Sequence, residues 1–354
     1  VILLAIISLS MVAFYGLQKY AVITKESVSI EMPLLSDGSK TVDSQGNEVK
    51  TYESTNASIV FDEPDYSSIT ATAGKDVEGF RAIFVPYTDV NSTKLSEYVA
   101  RLNSGNGLIL EMKPRSGELL WYSNSDMAQN YAISVESEAT AGMQDLITEL
   151  KEKDKVQHLA AQISCCIDNL LTTRTSAYTL KTEIGYSYTD DNGTWLDPYN
   201  EEVRMYVVQM VQELFDMGFD EVVLADAYHP VLDEGTTLLY TNDISTTRST
   251  VTAACGFAVS VAQELADRDG LLSIYCETRT ALAKVDETTG QDARMFMKLY
   301  DRVYIRTDKS VYPYNVEDMG DSIEIGSVYD RLMPVVENYI PDNTSWILID
   351  VDED

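Results

Sequence analysis

Seven polar residues stand at or just beyond the ends of apolar runs. Glu111 and Lys113 close "GLILEMK", Asp168 follows "QISCCI", Asp226 follows "EVVLA", and Glu277 follows "LLSIYC". Arg306 follows "RVYI" and Asp350 follows "SWILI". Side chains alternate between the two faces of a strand, so each of these groups has a defined set of companions. Gln162, Ser164, Cys166 and Asp168 fall on one face; Ser273, Tyr275 and Glu277 on another; Tyr304, Arg306 and Asp308 on a third. If the strand ends meet at one rim, several carboxyl groups meet with them. Two carboxyl groups of which one keeps a proton and the other stays ionised can act as acid and as nucleophile or base, the chemistry that cleaves a glycosidic bond. Glu111, Asp168, Asp226, Glu277 and Asp350 are the carboxyl groups that could supply such a pair. Lys113 or Arg306 is expected to hold Asp226 ionised, and Tyr275 with the surrounding wall to desolvate Glu277. The competing reading is local. Asp after a strand caps the next helix, and 57 acidic residues place some at strand ends by number alone.

The elements that would gather these residues alternate. Strands are expected at 80–85, 107–112, 158–166, 221–225, 271–276, 302–305 and 345–349, all parallel neighbours. Helices are expected at 93–103, 141–153, 200–219, near 247–267 and near 290–299. The helix at 200–219 is the clearest. Asn200 caps it, Glu201 and Glu202 suit its positive end, Val203, Val207, Met210, Val211 and Leu214 form a stripe, and Gly218 ends it. Alternating strands and helices imply an α/β fold with a parallel sheet. An eight-stranded (β/α) TIM-type barrel needs about 250 residues, and Val77–Asp354 supplies that length. Seven strands are visible. The eighth is either hidden near "YDRLMPVV" (329–336), which otherwise reads as helix, or absent, leaving an incomplete barrel. A doubly wound sheet is the alternative, but no glycine-rich phosphate loop follows the first strand.

Charge narrows the ligand. Against 57 acidic residues stand 26 basic ones, a formal net of -31. Nucleic acid is excluded as a partner, anionic polymers are repelled, and a neutral or cationic ligand is easier to accept. Cys165, Cys166, Cys255 and Cys276 lack zinc-ligand spacing and read as buried thiols. No metal and no cofactor are expected, save calcium on surface carboxylates. Residues 1–17, "VILLAIISLSMVAFYGL", carry no charge. Opening on Val rather than Met, they read as the end of an uncleaved signal anchor whose earlier residues are missing, with the rest of the chain extracellular. Residues 18–76 read as a polar stalk or small β-hairpin region, and 77–354 as the barrel domain.

The segments "GFRAIFVPYTDV", "GLILEMKPRSGELLWYS", "CIDNLL" and "GTWLDPYNEEVRMYVVQMVQELFDMGFDEVVLADAYHP" resemble a glycoside-hydrolase-like domain family of bacterial cell-surface proteins. The likeness is good from Val77 to Pro230 and looser beyond. It implies a barrel similar to those of amylase-like hydrolases, with a glycan or polysaccharide as partner. By that resemblance Asp226 ends strand four at the nucleophile's position, Glu277 takes the acid/base position, and Asp350 lies near a third carboxylate. Glu111, Lys113, Asp168, Trp195, Tyr228, His229, Arg306 and Tyr312 fall where substrate would be bound, the aromatic rings stacking on sugar faces. Two segments depart from the family pattern. Where the family follows its strand-four Asp with Tyr, a branched residue, Arg, Phe and Pro, this chain has "DAYHP", shorter and without Arg. Where the family has a Tyr-Pro-Ser turn, "VYPYN" keeps Tyr312 and Pro313 without Ser. Two function classes follow: a hydrolase of a cell-envelope or environmental polysaccharide, or a non-catalytic glycan-binding or envelope scaffold module.

Overall fold

The structure is a computed structural model. It describes residues 77–103, 106–233, 235–240, 250–277, 285–306, 331–337 and 345–349, and the backbone of four short strands before residue 51. Residues 1–17, Tyr312 and Asp350 lie outside the described residues. Contacts divide the chain into two units, Val1–Pro64 and Asp65–Asp354. In the first, Ala21–Ile23 pairs antiparallel with Val28–Ile30, and Lys40–Val42 with Glu48–Lys50.

The second unit contains a closed barrel of eight parallel strands. These are β1 (Arg81–Val85), β2 (Asn106–Lys113), β3 (His158–Ser164), β4 (Glu221–Ala225), β5 (Leu271–Cys276), β6 (Arg302–Arg306), β7 (Leu332–Glu337) and β8 (Trp346–Ile349). Each strand pairs with the next in chain order, and β8 returns to β1. The seven expected strands are all present. The eighth lies in the segment read as helix: "LMPVVE" is a strand, with Pro334 opposite Ile305. That run is apolar without alternation because both faces of a barrel strand are buried, so its period does not separate strand from helix.

The two faces make two cores. Inside the barrel, Phe80, Ala82, Ile109, Ala160, Val223, Tyr304, Met333, Val335 and Ile347 pack together. Outside it, the opposite faces of the strands meet the helices: α1 (Ser92–Arg101), α2 (Met143–Lys151), α3 (Asn169–Arg174), α4 (Glu201–Asp216), α5 (Thr250–Glu264) and α6 (Ala293–Leu299). Helix α4 forms as its sequence dictates. Asn200 Oδ1 accepts from the Glu202 and Val203 amides, and Val203, Val207, Met210, Val211 and Leu214 are buried. Gly218 then leaves the helix at φ +99°, a conformation that costs glycine no clash.

At the N-terminal ends of the strands a charge is sealed beneath the barrel. Glu221 is fully buried and receives His158 Nε2 at 2.7 Å, Arg302 Nη1 at 2.5 Å, Tyr304 Oη at 2.8 Å and the Ser273 hydroxyl. Arg302 also donates to the Glu78 carbonyl and lies over the Phe80 ring. Burial alone would raise the Glu221 pKa; Arg302, His158 and Ser273 more than offset it and hold the carboxyl at about 2. This end of a barrel serves stability rather than chemistry. Because the folded pKa lies below the unfolded value of about 4.3, the stabilisation is fully present above that pH. It is lost as pH falls through about 2. Glu221→Gln leaves Arg302 buried without its counter-charge and is expected to cost roughly 3–5 kcal/mol. Urea denaturation at neutral pH checks this. The difference between the variant and the wild type should shrink on acidification, and a constant difference down to the acid limit would contradict the assignment.

Candidate active site

At the opposite, C-terminal, ends of the strands lies a cleft of about 870 Å³, the size of a small-ligand pocket. Its wall contains Glu111, Lys113, Trp195, Asp226, Tyr228, Glu277 and Arg306, seven of the residues the sequence singled out. Tyr275 and Tyr304 form its floor, the Tyr304 hydroxyl being held from below by Glu221.

Asp226 is the most constrained of these residues. It leaves β4 with φ +52°, in the left-handed region that a residue with a side chain enters at a cost of order 1–3 kcal/mol. Asp tolerates this conformation better than most residues, and strain of this kind concentrates at working sites. The turn presents a carboxylate only 8% exposed. Arg115 grips it with two nitrogens: Nη2 donates to Oδ1 at 2.6 Å and Nε at 3.0 Å, while Ser164 Oγ donates to Oδ2 at 2.7 Å. Burial pulls the Arg115 pKa down, but its hydrogen bonds and charge contact with Asp226 overcome this and the net shift is upward. The guanidinium is a permanent cation, so Asp226 has a fixed counter-charge. The segment after Asp226 contains no arginine. The cation comes instead from the loop after β2, and neither Lys113 nor Arg306 supplies it.

The local sequence explains how Arg115 arrives there. In "KPRSG" the Gly117 amide closes a turn onto the Pro114 carbonyl at 3.0 Å. Gly117 has φ +94°, and a Cβ on it would lie 2.1 Å from Asp168 Oδ1. The Arg115 and Ser116 carbonyls accept from the Asn169 and Leu170 amides, pinning the loop to the start of α3. Arg115 Nη1 reaches Asn192 Oδ1 at 2.8 Å on the small hairpin of Thr189–Asp190 and Gly193–Thr194. Three loops are therefore tied together across the mouth by one side chain.

Two glutamates share the cleft with Asp226. Glu277 has its amide held by Gln291 Oε1 at 2.9 Å, and its carboxyl group makes no hydrogen bond among the described residues. Burial raises its pKa first, the Asp226 charge raises it further, and Arg115 and Arg306 oppose both. Glu111 is likewise raised by burial and by Asp226, against the Tyr87 amide that donates to its Oε2 at 3.0 Å. One carboxylate clamped by a cation beside two inclined to keep a proton is the separation of roles that acid–base chemistry needs.

Three expectations are corrected. Asp168 does not face the cleft. The chain turns after Ser164, which ends the alternation, and Asp168 is fully buried as the cap of α3, its Oδ1 accepting from the Leu171 amide at 2.8 Å. Lys113 touches the cleft wall, but its ammonium is spent on Asp168 at 3.1 Å and the Ser164 carbonyl at 2.8 Å, so it braces the wall and does not bind ligand. His229 lies away from the cleft, buried between the Pro230 carbonyl at 2.9 Å and Tyr240 Oη at 3.1 Å, and burial holds its pKa below the usual value. Trp195 and Tyr228 meet edge to face at 5.2 Å and form one wall. Arg306 lies at the rim, paired with Glu337. Arg115, Asp190, Asn192 and Asp286 were not anticipated. The turn signal in "KPRSG" could have marked the first of them.

A family model described as "Putative glycosyl hydrolase domain" matches residues 82–317. The chain belongs to that family. Its structural neighbours include glycoside hydrolase domains. The PgaB (BpsB) glycoside hydrolase domain from Bordetella bronchiseptica aligns over 78% of this chain and 94% of its own, with TM-score 0.52 and 12% identity. A hypothetical protein from Ruminiclostridium thermocellum aligns over 54% of this chain and 96% of its own, with TM-score 0.46 and 20% identity. The C-terminal domain of a "putative chitinase" from Desulfitobacterium hafniense aligns over 73% of this chain and 66% of its own, with TM-score 0.44 and 11% identity. At these identities the likeness concerns the fold. No curated protein matches the chain.

Proposed function

We propose that this domain hydrolyses a glycosidic bond in a cell-envelope or environmental polysaccharide, with Asp226 as nucleophile and Glu277 as general acid and then base. The observation that carries this reading is the Asp226 turn: a strained, cation-clamped carboxylate in a cleft where Glu111 and Glu277 are pushed toward their protonated forms. In the first step Glu277 gives its proton to the leaving oxygen while Asp226 bonds to the anomeric carbon. In the second, water deprotonated by Glu277 releases Asp226 and the sugar. Glu111 is placed to accept from a sugar hydroxyl, and the Trp195–Tyr228 wall to meet an apolar sugar face. Family membership and the barrel support the reaction class. The test is turnover by the wild-type protein on a panel of glycans and activated glycosides; binding without turnover by any of them would favour a glycan-binding module instead.

The same reading places the domain outside the cell, held by residues 1–17. Support comes from the composition of that run, seventeen residues without a charge. Among the described residues no helix is long and apolar enough to cross a membrane. The full-length chain is expected to sediment with membranes and to need detergent for release; recovery in the soluble fraction would refute the anchor.

A further inference from the structure

Two cations of the cleft wall, Lys113 and Arg115, are housed differently. The Lys113–Asp168 pair is sealed, both side chains being fully buried, so neither charge can lose the other without a large desolvation cost. Arg115 grips a buried carboxylate, yet its own side chain is 42% exposed. Its other hydrogen-bond partners are neutral: Asn192 Oδ1 at 2.8 Å and Tyr228 Oη at 3.5 Å. The backbone of its loop is fixed independently of the side chain, through the Arg115 and Ser116 carbonyls that accept from α3. Glu111 and Glu277 feel its charge as well. A cation built in this way tolerates the loss of its counter-charge, because water and neutral acceptors remain to it.

We infer that Arg115 is a positioning residue for the second chemical step: its cation favours release of the sugar from Asp226 and restrains the attack that attached it. This rests on the hydrolase reading of the same cleft. In the free protein Asp226 is the anion and faces Arg115. When Asp226 bonds to the anomeric carbon and the leaving oxygen takes the Glu277 proton, Asp226 becomes a neutral ester and Glu277 the carboxylate. The ion pair, Nη2 to Oδ1 at 2.6 Å, is given up, so Arg115 opposes this step. Its field then acts on the Glu277 carboxylate, the group now bearing the charge. In the second step the oxygen of water bonds to the anomeric carbon, a water proton goes to Glu277, and the electron pair of the breaking C–O bond returns to Asp226. Negative charge reappears beside a guanidinium already in place, which stabilises it as it forms. The donors are ready on both oxygens: Arg115 Nη2 and Nε at Oδ1, and Ser164 Oγ at Oδ2. A lysine would supply the charge without this fork. Lys113 is no substitute, because its ammonium is held by Asp168 and the Ser164 carbonyl.

The experiment compares the wild type with Arg115→Gln, Arg115→Lys and Asn192→Ala. The probes are dinitrophenyl glycosides of glucose, galactose and N-acetylglucosamine in both anomeric forms, whose leaving group needs little help from an acid. Stopped-flow release of dinitrophenol, steady-state kcat and KM, and the mass of the intact protein are read, with a thermal melt as the check on folding. In Arg115→Gln, kcat is expected to fall on the order of 10²–10³-fold while kcat/KM stays within about tenfold, so that KM falls with kcat. A burst approaching one dinitrophenol per protein, and a mass increase of one sugar, should accompany the fall, because the sugar-bound form accumulates. Arg115→Lys should lie between Arg115→Gln and the wild type. Asn192→Ala changes only an exposed hairpin side chain and removes the brace of the guanidinium, so it should shift the same quantities in the same direction by less. A merely structural role would lower kcat and kcat/KM by one factor, with no burst and no advantage for Lys. That result in Arg115→Gln, or in Asn192→Ala should Arg115→Gln fail to fold, overturns the inference, as do wild-type kinetics in Arg115→Gln. Each of these leaves the hydrolase reading intact, since wild-type turnover is measured in the same series. A wild type inactive on these glycosides and on every glycan of the panel removes the hydrolase reading and the inference with it.

Discussion

Asp226→Asn is expected to lower turnover of an activated glycoside on the order of 10⁴-fold, the scale on which removing a group that bonds to substrate acts. The amide cannot attack the anomeric carbon, so the first step has no substitute. Folding should survive for three reasons. Asn adopts the left-handed backbone as readily as Asp, so φ +52° remains accessible. The amide oxygen still accepts from Ser164 Oγ, which now sits at 2.7 Å. Arg115 loses its counter-charge but keeps Asn192, and its side chain is 42% exposed, so water can complete its solvation. The checks are kcat on an aryl glycoside together with a thermal melt. A variant that melts with the wild type and turns over within tenfold of it would take the nucleophile's role away from Asp226.

Glu277→Gln is expected to slow departure of poor leaving groups by about 10²–10⁴-fold, the usual contribution of a general acid, and to spare good leaving groups in the first step. Its carboxyl group makes no hydrogen bond among the described residues, so the substitution breaks none there. The pH profile supplies a second readout. The protonated form is the active acid, so kcat/KM should fall as pH rises through the Glu277 pKa. Burial and the Asp226 charge set that pKa above the usual carboxyl value, which moves the falling limb to higher pH. Arg306 pulls in the opposite direction, so Arg306→Gln should move the limb higher still. Measurement of kcat/KM against pH with a poor leaving group decides this. A falling limb that persists in Glu277→Gln would assign the acid to another group, and Glu111, raised for similar reasons, is the first to examine.

Much of the barrel is written locally. Seven strands were legible because each is a short apolar run closed by a polar residue and followed by helical periodicity, and β7 was not because "LMPVV" lacks alternation and contains Pro334. The positions of Asp226 and Glu277 were legible for the same reason: a parallel barrel brings the C-terminal ends of its strands to one rim, so the residue after each apolar run is placed by the fold class itself. Alternation also put Tyr275 and Glu277, and Tyr304 and Arg306, together in the cleft, where the structure has them. Alternation holds only while the chain remains extended. Past Ser164 it turns, and Asp168 becomes a buried helix cap. The electrostatics of the site belong to the tertiary structure alone. Arg115 lies 111 residues from Asp226 and 77 from Asn192. No local pattern links them, because their contact arises from loops on different strands closing over one mouth. The sequence by itself determined which carboxylates reach the rim, since a strand's direction and period are backbone properties. Only the folded chain decided which of them would be clamped by a cation and which would be raised by burial, since desolvation and Coulomb energy depend on distances that loop closure sets.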